Sequence, residues 1–124
     1  MKATELRMND WVLVDGEPMK IAETLLTYFT AWKKDGTFCG KNGYEAAEPI
    51  ALTEEMLRKS GWKYSEPFND WEVVDDGRCP RLLEGVKTWF VRPKGGNYDL
   101  CEIRYVHELQ HLLWALGVEK EVEV

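Results

Sequence analysis

Cysteine is scarce in this chain and forms no recognisable pattern. Only Cys39, Cys79 and Cys101 occur, an odd number with no C-x-x-C spacing. That argues against a disulfide framework and against a zinc ribbon, and points to a reducing cytoplasm. Long apolar runs are missing too. No window holds the roughly 18 apolar residues that a membrane span needs, and no apolar stretch follows the charged start as in a signal peptide. There is no basic surplus. The formal net charge is −6, with 8 basic and 10 acidic residues in 1–62 and 8 and 12 in 63–124. Such a balance argues against nucleic acid as partner, because binding it relies on cations that displace counterions. A local cluster at Lys33, Lys34 and Lys41 is the exception. No repeat, low-complexity tract or linker-like change of composition interrupts the 124 residues. The expectation is a single domain, 1–124, away from the membrane and without a cofactor.

What is present is an ordinary globular composition, 44% hydrophobic and 31% charged, enough for a core without staples. The first third reads as antiparallel strands. Trp11-Val-Leu-Val14 is followed by the turn Asp15-Gly16 and a second run from Met19 to Ile21, a hairpin pattern. Leu25 to Trp32 suits a strand. Lys34-Asp35-Gly36 turns it back into Thr37-Phe-Cys39, and Lys41-Asn-Gly43 reads as another turn. A short helix is expected over 53–60. Thr53 is its N-cap, Glu54 and Glu55 complement its dipole, and Gly61 closes it. Trp62–Tyr64 and Trp71–Val74 suit strands, although residues 63–86 remain poorly defined by pattern. Thr88–Val91 and Tyr98–Arg104 form a hairpin around Pro93–Asn97. A second helix follows over 105–116, closed by Gly117, and the acidic tail 119–124 is expected to fray.

One segment carries a candidate catalytic motif. His107-Glu108-Leu-Gln-His111 is an H-E-x-x-H, which on a helix places two imidazoles on one face to hold zinc and a carboxylate to activate water. Over these five residues the chain resembles zinc metallopeptidases, and the resemblance implies His107 and His111 as ligands with Glu108 as general base. The rest of the pattern departs from it. These are the only histidines. Trp114 and Gly117 stand where the extended form of the motif has Gly and His. Thirteen residues follow His111, too few for a second helix bearing a downstream Glu ligand, which leaves Asp99, Cys101 or Glu102 as upstream choices. At about 100° per residue, Val106, Leu109, Leu112, Leu113 and Leu116 share an apolar arc, and the two histidines are expected to face away from the core.

Three longer blocks carry a second resemblance. They are Glu5-Leu-Arg-Met-Asn-Asp-Trp-Val12 with Asp15-Gly16, Glu48-Pro-Ile-Ala-Leu-Thr-Glu-Glu-Met-Leu57 through Trp62, and Ile103 to Leu112 with Ala115-Leu116-Gly117. In these the chain resembles a family of small uncharacterised proteins encoded by prophages and mobile elements of gut Bacteroidetes. That family typically reads Val-His-Gln-Leu-Gln-Asn in the last block. Glu108 and His111 here replace its Gln and Asn, which implies that the zinc motif is a coincidence in a non-catalytic helix. Separately, residues 9–21 resemble the first hairpin of SH3-like small barrels.

The resulting expectation is an α+β fold: a curved antiparallel sheet, open to reading as an SH3-like partial barrel, with two short helices packed on it. The sheet is expected to combine the N-terminal strands with the 87–104 hairpin. Trp11, Trp62, Trp71 and Trp89 are expected in the core. Function is expected to be non-enzymatic, as an accessory protein of a mobile element that binds another protein. The candidate surface is His107, Gln110, His111 and Trp114, with an unidentified protein partner and a homodimer both open. A zinc hydrolase using His107, Glu108 and His111, and a small nucleic-acid-binding barrel using Lys33, Lys34 and Lys41, are the alternatives. Glu54–Glu55, Asp75–Asp76 and Lys94-Gly95-Gly96 are weaker signals, for which a helix start, a turn and a hairpin loop suffice.

Overall fold

A computed structural model describes all residues, 1–124. The chain forms two compact units, Met1–Ala51 and Leu52–Val124. The class is α+β, with two antiparallel sheets and two short helices. Neither sheet closes into a barrel. No helix is long and apolar enough to cross a membrane.

The first unit is a sheet of β1 (Trp11–Val14), β2 (Glu17–Thr24), β3 (Tyr28–Lys33), β4 (Phe38–Gly43) and the short β5 (Ala47–Glu48), in the order β4-β3-β2-β1-β5. Alternation sets its faces, because successive side chains on a strand point to opposite sides. Val12, Val14, Met19, Ile21, Phe29 and Ala31 turn inward with Leu6 and Ala47. Asp15 and Gly16 both take positive φ, 50° and 81°, the requirement of a two-residue turn that matches strand twist. Lys41–Gly43 is not the expected turn. It belongs to β4, where the register slips between Phe29 and Ala31. The Asn42 amide fills this bulge by donating to the carbonyls of Phe29 and Cys39, each at 3.2 Å.

The second unit contains α1 (Glu54–Lys59), then β6 (Lys63–Ser65), β7 (Asp70–Glu72), β8 (Arg81–Glu84), β9 (Trp89–Arg92) and β10 (Cys101–Ile103), and ends with α2 (Val106–Ala115). Its strands lie in the order β10-β9-β8-β7-β6. The 87–104 hairpin therefore belongs to this second sheet rather than to the N-terminal one. Its partner β8 was not legible as a strand. Arg81-Leu-Leu-Glu84 has no clean alternation because Arg81 and Leu82 are both buried.

α1 follows its expectation closely. The Thr53 hydroxyl accepts from Met56 N at 3.3 Å. Gly61, at φ 95°, lets Trp62 N return to Leu57 O at 2.9 Å. Trp62, Trp71 and Trp89 are buried, whereas Trp11 is half-buried on the outer face of the first sheet. The indoles of Trp62 and Trp89 donate to Pro80 O and Leu52 O. The C-terminal tail does not fray. Val118 and Val122 are buried, Glu123 N donates to Ser60 Oγ at 2.8 Å, and the Lys120 ammonium lies 5.4 Å from the centre of the Trp62 ring.

One charged pair sits inside this unit. Arg81 Nη1 donates to Asp70 Oδ2 at 2.9 Å, with both side chains almost wholly buried. The same guanidinium donates to Pro93 O, Gly96 O and Asn97 Oδ1, so one charge ties β7, β8 and the β9–β10 loop together. Burial outweighs the neighbouring cation and pushes the Asp70 carboxyl above its ordinary range. Removing one partner of a buried pair strands the other charge. Asp70→Ala is expected to lower stability by about 3–5 kcal/mol in urea unfolding followed by tryptophan fluorescence. A loss under about 1 kcal/mol would mean that the pair resembles an exposed one.

Candidate functional site

The H-E-x-x-H segment does form a helix, but the helix uses it differently. α2 begins after Tyr105, which lacks the short polar side chain that usually caps a helix. Glu108, in the first turn, reaches back instead. Its Oε1 accepts from Arg104 N at 2.9 Å and from Tyr105 N at 3.0 Å, the carboxylate half of a capping box. The expected general base is thus committed to backbone donors at the helix start.

The histidines diverge from expectation as well. His107 is only 6% exposed and belongs to the buried face with Val106, Leu109 and Leu113. The apolar arc drawn from sequence was therefore displaced: Leu112 is half-buried and Leu116 exposed. Tyr105 stacks on the His107 ring at 5.9 Å and 9°. His111 is half-buried, with its ring 5.6 Å from that of His107 in an edge-on arrangement. The two imidazoles are neighbours, but no group of three or more His, Cys, Asp or Glu side chains is placed to hold a metal. Asp99, one of the upstream choices, pairs with Arg92 at 2.9 Å. A zinc site with three protein ligands is not assembled here.

Of the expected binding surface, His107 is withdrawn into the core. Gln110 and His111 are half-buried, and Trp114 is 76% exposed. The last turn of α2 is open, since Trp114, Ala115 and Leu116 are all exposed.

The weaker signals resolve into structural roles. Asp76 Oδ1 accepts from Arg78 N at 2.9 Å, a turn built by a side chain. The Lys94 ammonium donates to the carbonyls of Val73, Val74 and Asp76, which holds a loop rather than a phosphate. Glu55 pairs with Lys59 at 3.7 Å. Glu54 instead meets Glu84 from β8, and the hydrogen bond between these carboxyls pushes that of Glu84 up.

A surface not expected from sequence lies on the outer face of the first sheet. Trp11 stands opposite Lys20, Lys20 opposite Trp32, and Trp32 opposite Phe38, a row across β1, β2, β3 and β4. The Trp32 and Phe38 rings are 4.7 Å apart, and both are about half exposed, at 44% and 51%. Lys20 lies 5.9 Å from the Trp11 ring and Lys41 lies 5.0 Å from the Tyr28 ring. The signal that could have found this row is cross-strand register, which depends on knowing all three turns.

Set against protein-family models, curated proteins and solved structures, the chain matches none.

Two outcomes follow from this geometry. Glu108→Ala removes the cap and is expected to cost about 0.5–2 kcal/mol. Glu108→Gln, which can make the same hydrogen bonds, is expected to cost little, and neither His111→Asn nor the wild type is expected to carry stoichiometric zinc by elemental analysis. One zinc per chain, lost on His111→Asn, would reverse the assignment. Separately, all three cysteines are free. Burial, reinforced by Asp76, pushes the Cys79 thiol up to about 11, so it stays protonated at neutral pH. Burial and Glu108 push the Cys101 thiol up as well, so access decides the contrast: iodoacetamide at that pH is expected to label exposed Cys101 slowly in the folded protein and buried Cys79 only after unfolding, as read by mass spectrometry.

Proposed function

We propose that this chain is a non-enzymatic accessory protein that acts by binding another protein, and that the open end of α2 is its contact surface. The observation that carries the reading is the end of α2, where Trp114 in the last turn and Leu116 just past it stand exposed. A large aromatic side chain exposed on a helix is what an interface uses as an anchor, because its burial supplies much area for few rotatable bonds. Gln110 and His111 lie one turn behind and add polar contacts at the rim.

The resemblance to prophage and mobile-element proteins supports an accessory role. So does the interchange it implies at position 108, since Gln and Glu cap a helix equally well while only Glu serves as a general base. Three free thiols suit work in the reducing cytoplasm. A second copy of the chain is one admissible partner, and the test separates it from others by mass.

A photo-crosslinking residue at position 114, in cells that express the chain natively, is expected to give a discrete adduct. The same residue at position 86, where Val86 is fully exposed in the β8–β9 loop, is expected to give none. Equal adducts at both positions, or none at 114, would defeat the proposal.

A further inference from the structure

The net charge of the chain conceals a local reversal. Residues 28–43, the β3–β4 hairpin, carry Lys33, Lys34 and Lys41 against Asp35 alone, a surplus of two, so the remainder sums to −8. Lys20 on β2 adjoins this hairpin directly opposite Trp32. The cations are interleaved with rings: half-buried Tyr28, with Lys41 5.0 Å from its centre, near one end of the hairpin, and the exposed Trp32–Phe38 pair near the other.

We propose that the outer face of this hairpin binds a single strand of nucleic acid, with bases stacked on Trp32, Phe38 and Tyr28 and the backbone met by Lys20, Lys34 and Lys41. The argument is one of complementarity. Single-strand binding needs ring platforms for bases beside cations for phosphates, and it needs no sequence readout. Tyr28 and Trp32 lie on the same face four residues apart, about 13 Å along a strand. Between them the floor is low, because Thr30 is the intervening outward residue on β3 and Gly40 lies on β4. Rings at both ends and a shallow floor suit splayed bases. A duplex, whose bases are already stacked, cannot use the rings.

The acidic residues on the same face set the track. Glu23 lies opposite Thr30 on β2, and Glu48 lies opposite Leu13 on β5. Both flank the β1–β2 side, which directs a phosphate backbone along β3 and β4. Lys33 pairs with Glu17 at 3.4 Å, an exposed pair that a phosphate can open at little cost.

The test is fluorescence anisotropy of an end-labelled oligothymidylate about 16 nucleotides long, titrated with the full chain at about 50 and about 200 mM salt. Saturable binding that weakens with salt is expected. Trp32→Ala and Phe38→Ala should each weaken it about tenfold or more, while Trp32→Phe retains it, which separates loss of stacking from loss of fold. Lys41→Ala should reduce the salt slope by about 0.7, and Glu23→Gln should tighten binding. No saturable rise at the lower salt overturns the proposal and leaves this face to a protein partner. Equal affinity for a duplex of the same length, or no effect of Trp32→Ala, overturns it as well.

Discussion

A guanidinium buried in the second unit is the constraint on which that unit depends. Arg81 cannot leave its charge unsatisfied in the interior, so the fold must bring it partners. It gathers the Asp70 carboxylate from β7, two loop carbonyls and the Asn97 side chain. Those contacts fix where β8 lies and how the loop between β9 and β10 closes. Lys94 from that loop then holds the carbonyls of Val73, Val74 and Asp76. Two cations therefore shape a region with little regular structure, and hydrophobic burial of Trp62, Leu82 and Val91 completes it.

The same demand, that backbone donors at a helix start be met, decides the meaning of the H-E-x-x-H. Tyr105 offers no short polar cap, so Glu108 is recruited. A carboxylate holding two backbone amides is a structural element of the helix. With His107 packed among Val106, Leu109 and Leu113, the motif is divided between core and cap. Spacing alone cannot distinguish these uses, since a zinc-binding helix and a self-capping helix place their residues at the same intervals.

The first unit shows how little of a surface is visible in linear order. Trp11, Lys20, Trp32 and Phe38 are scattered over 28 positions. They become neighbours only because Asp15-Gly16 sets one register, and the later strands follow from it with a bulge on either side of β3. A shift of one residue would send each ring to the opposite face. Overall charge hides local detail in the same manner, because Lys20 and Lys41 come to lie beside aromatic rings on one face although the chain as a whole is acidic.

Local chemistry was legible in the sequence wherever it is self-contained. The Asp15-Gly16 turn, the Thr53 cap with its closing Gly61, the presence of strands near β1 to β3 and the extent of α2 all follow from neighbours within a few residues. These interactions close over short chain distances, and so does the α+β class that they imply. Other features were settled only in three dimensions. The 87–104 hairpin joined a second sheet, the tail docked through Val118 and Val122 instead of fraying, and His107 turned inward. Each of these depends on which distant surface offers burial or a hydrogen-bond partner. Such partners lie tens of residues away, as Glu123 does from Ser60, and no local pattern encodes them.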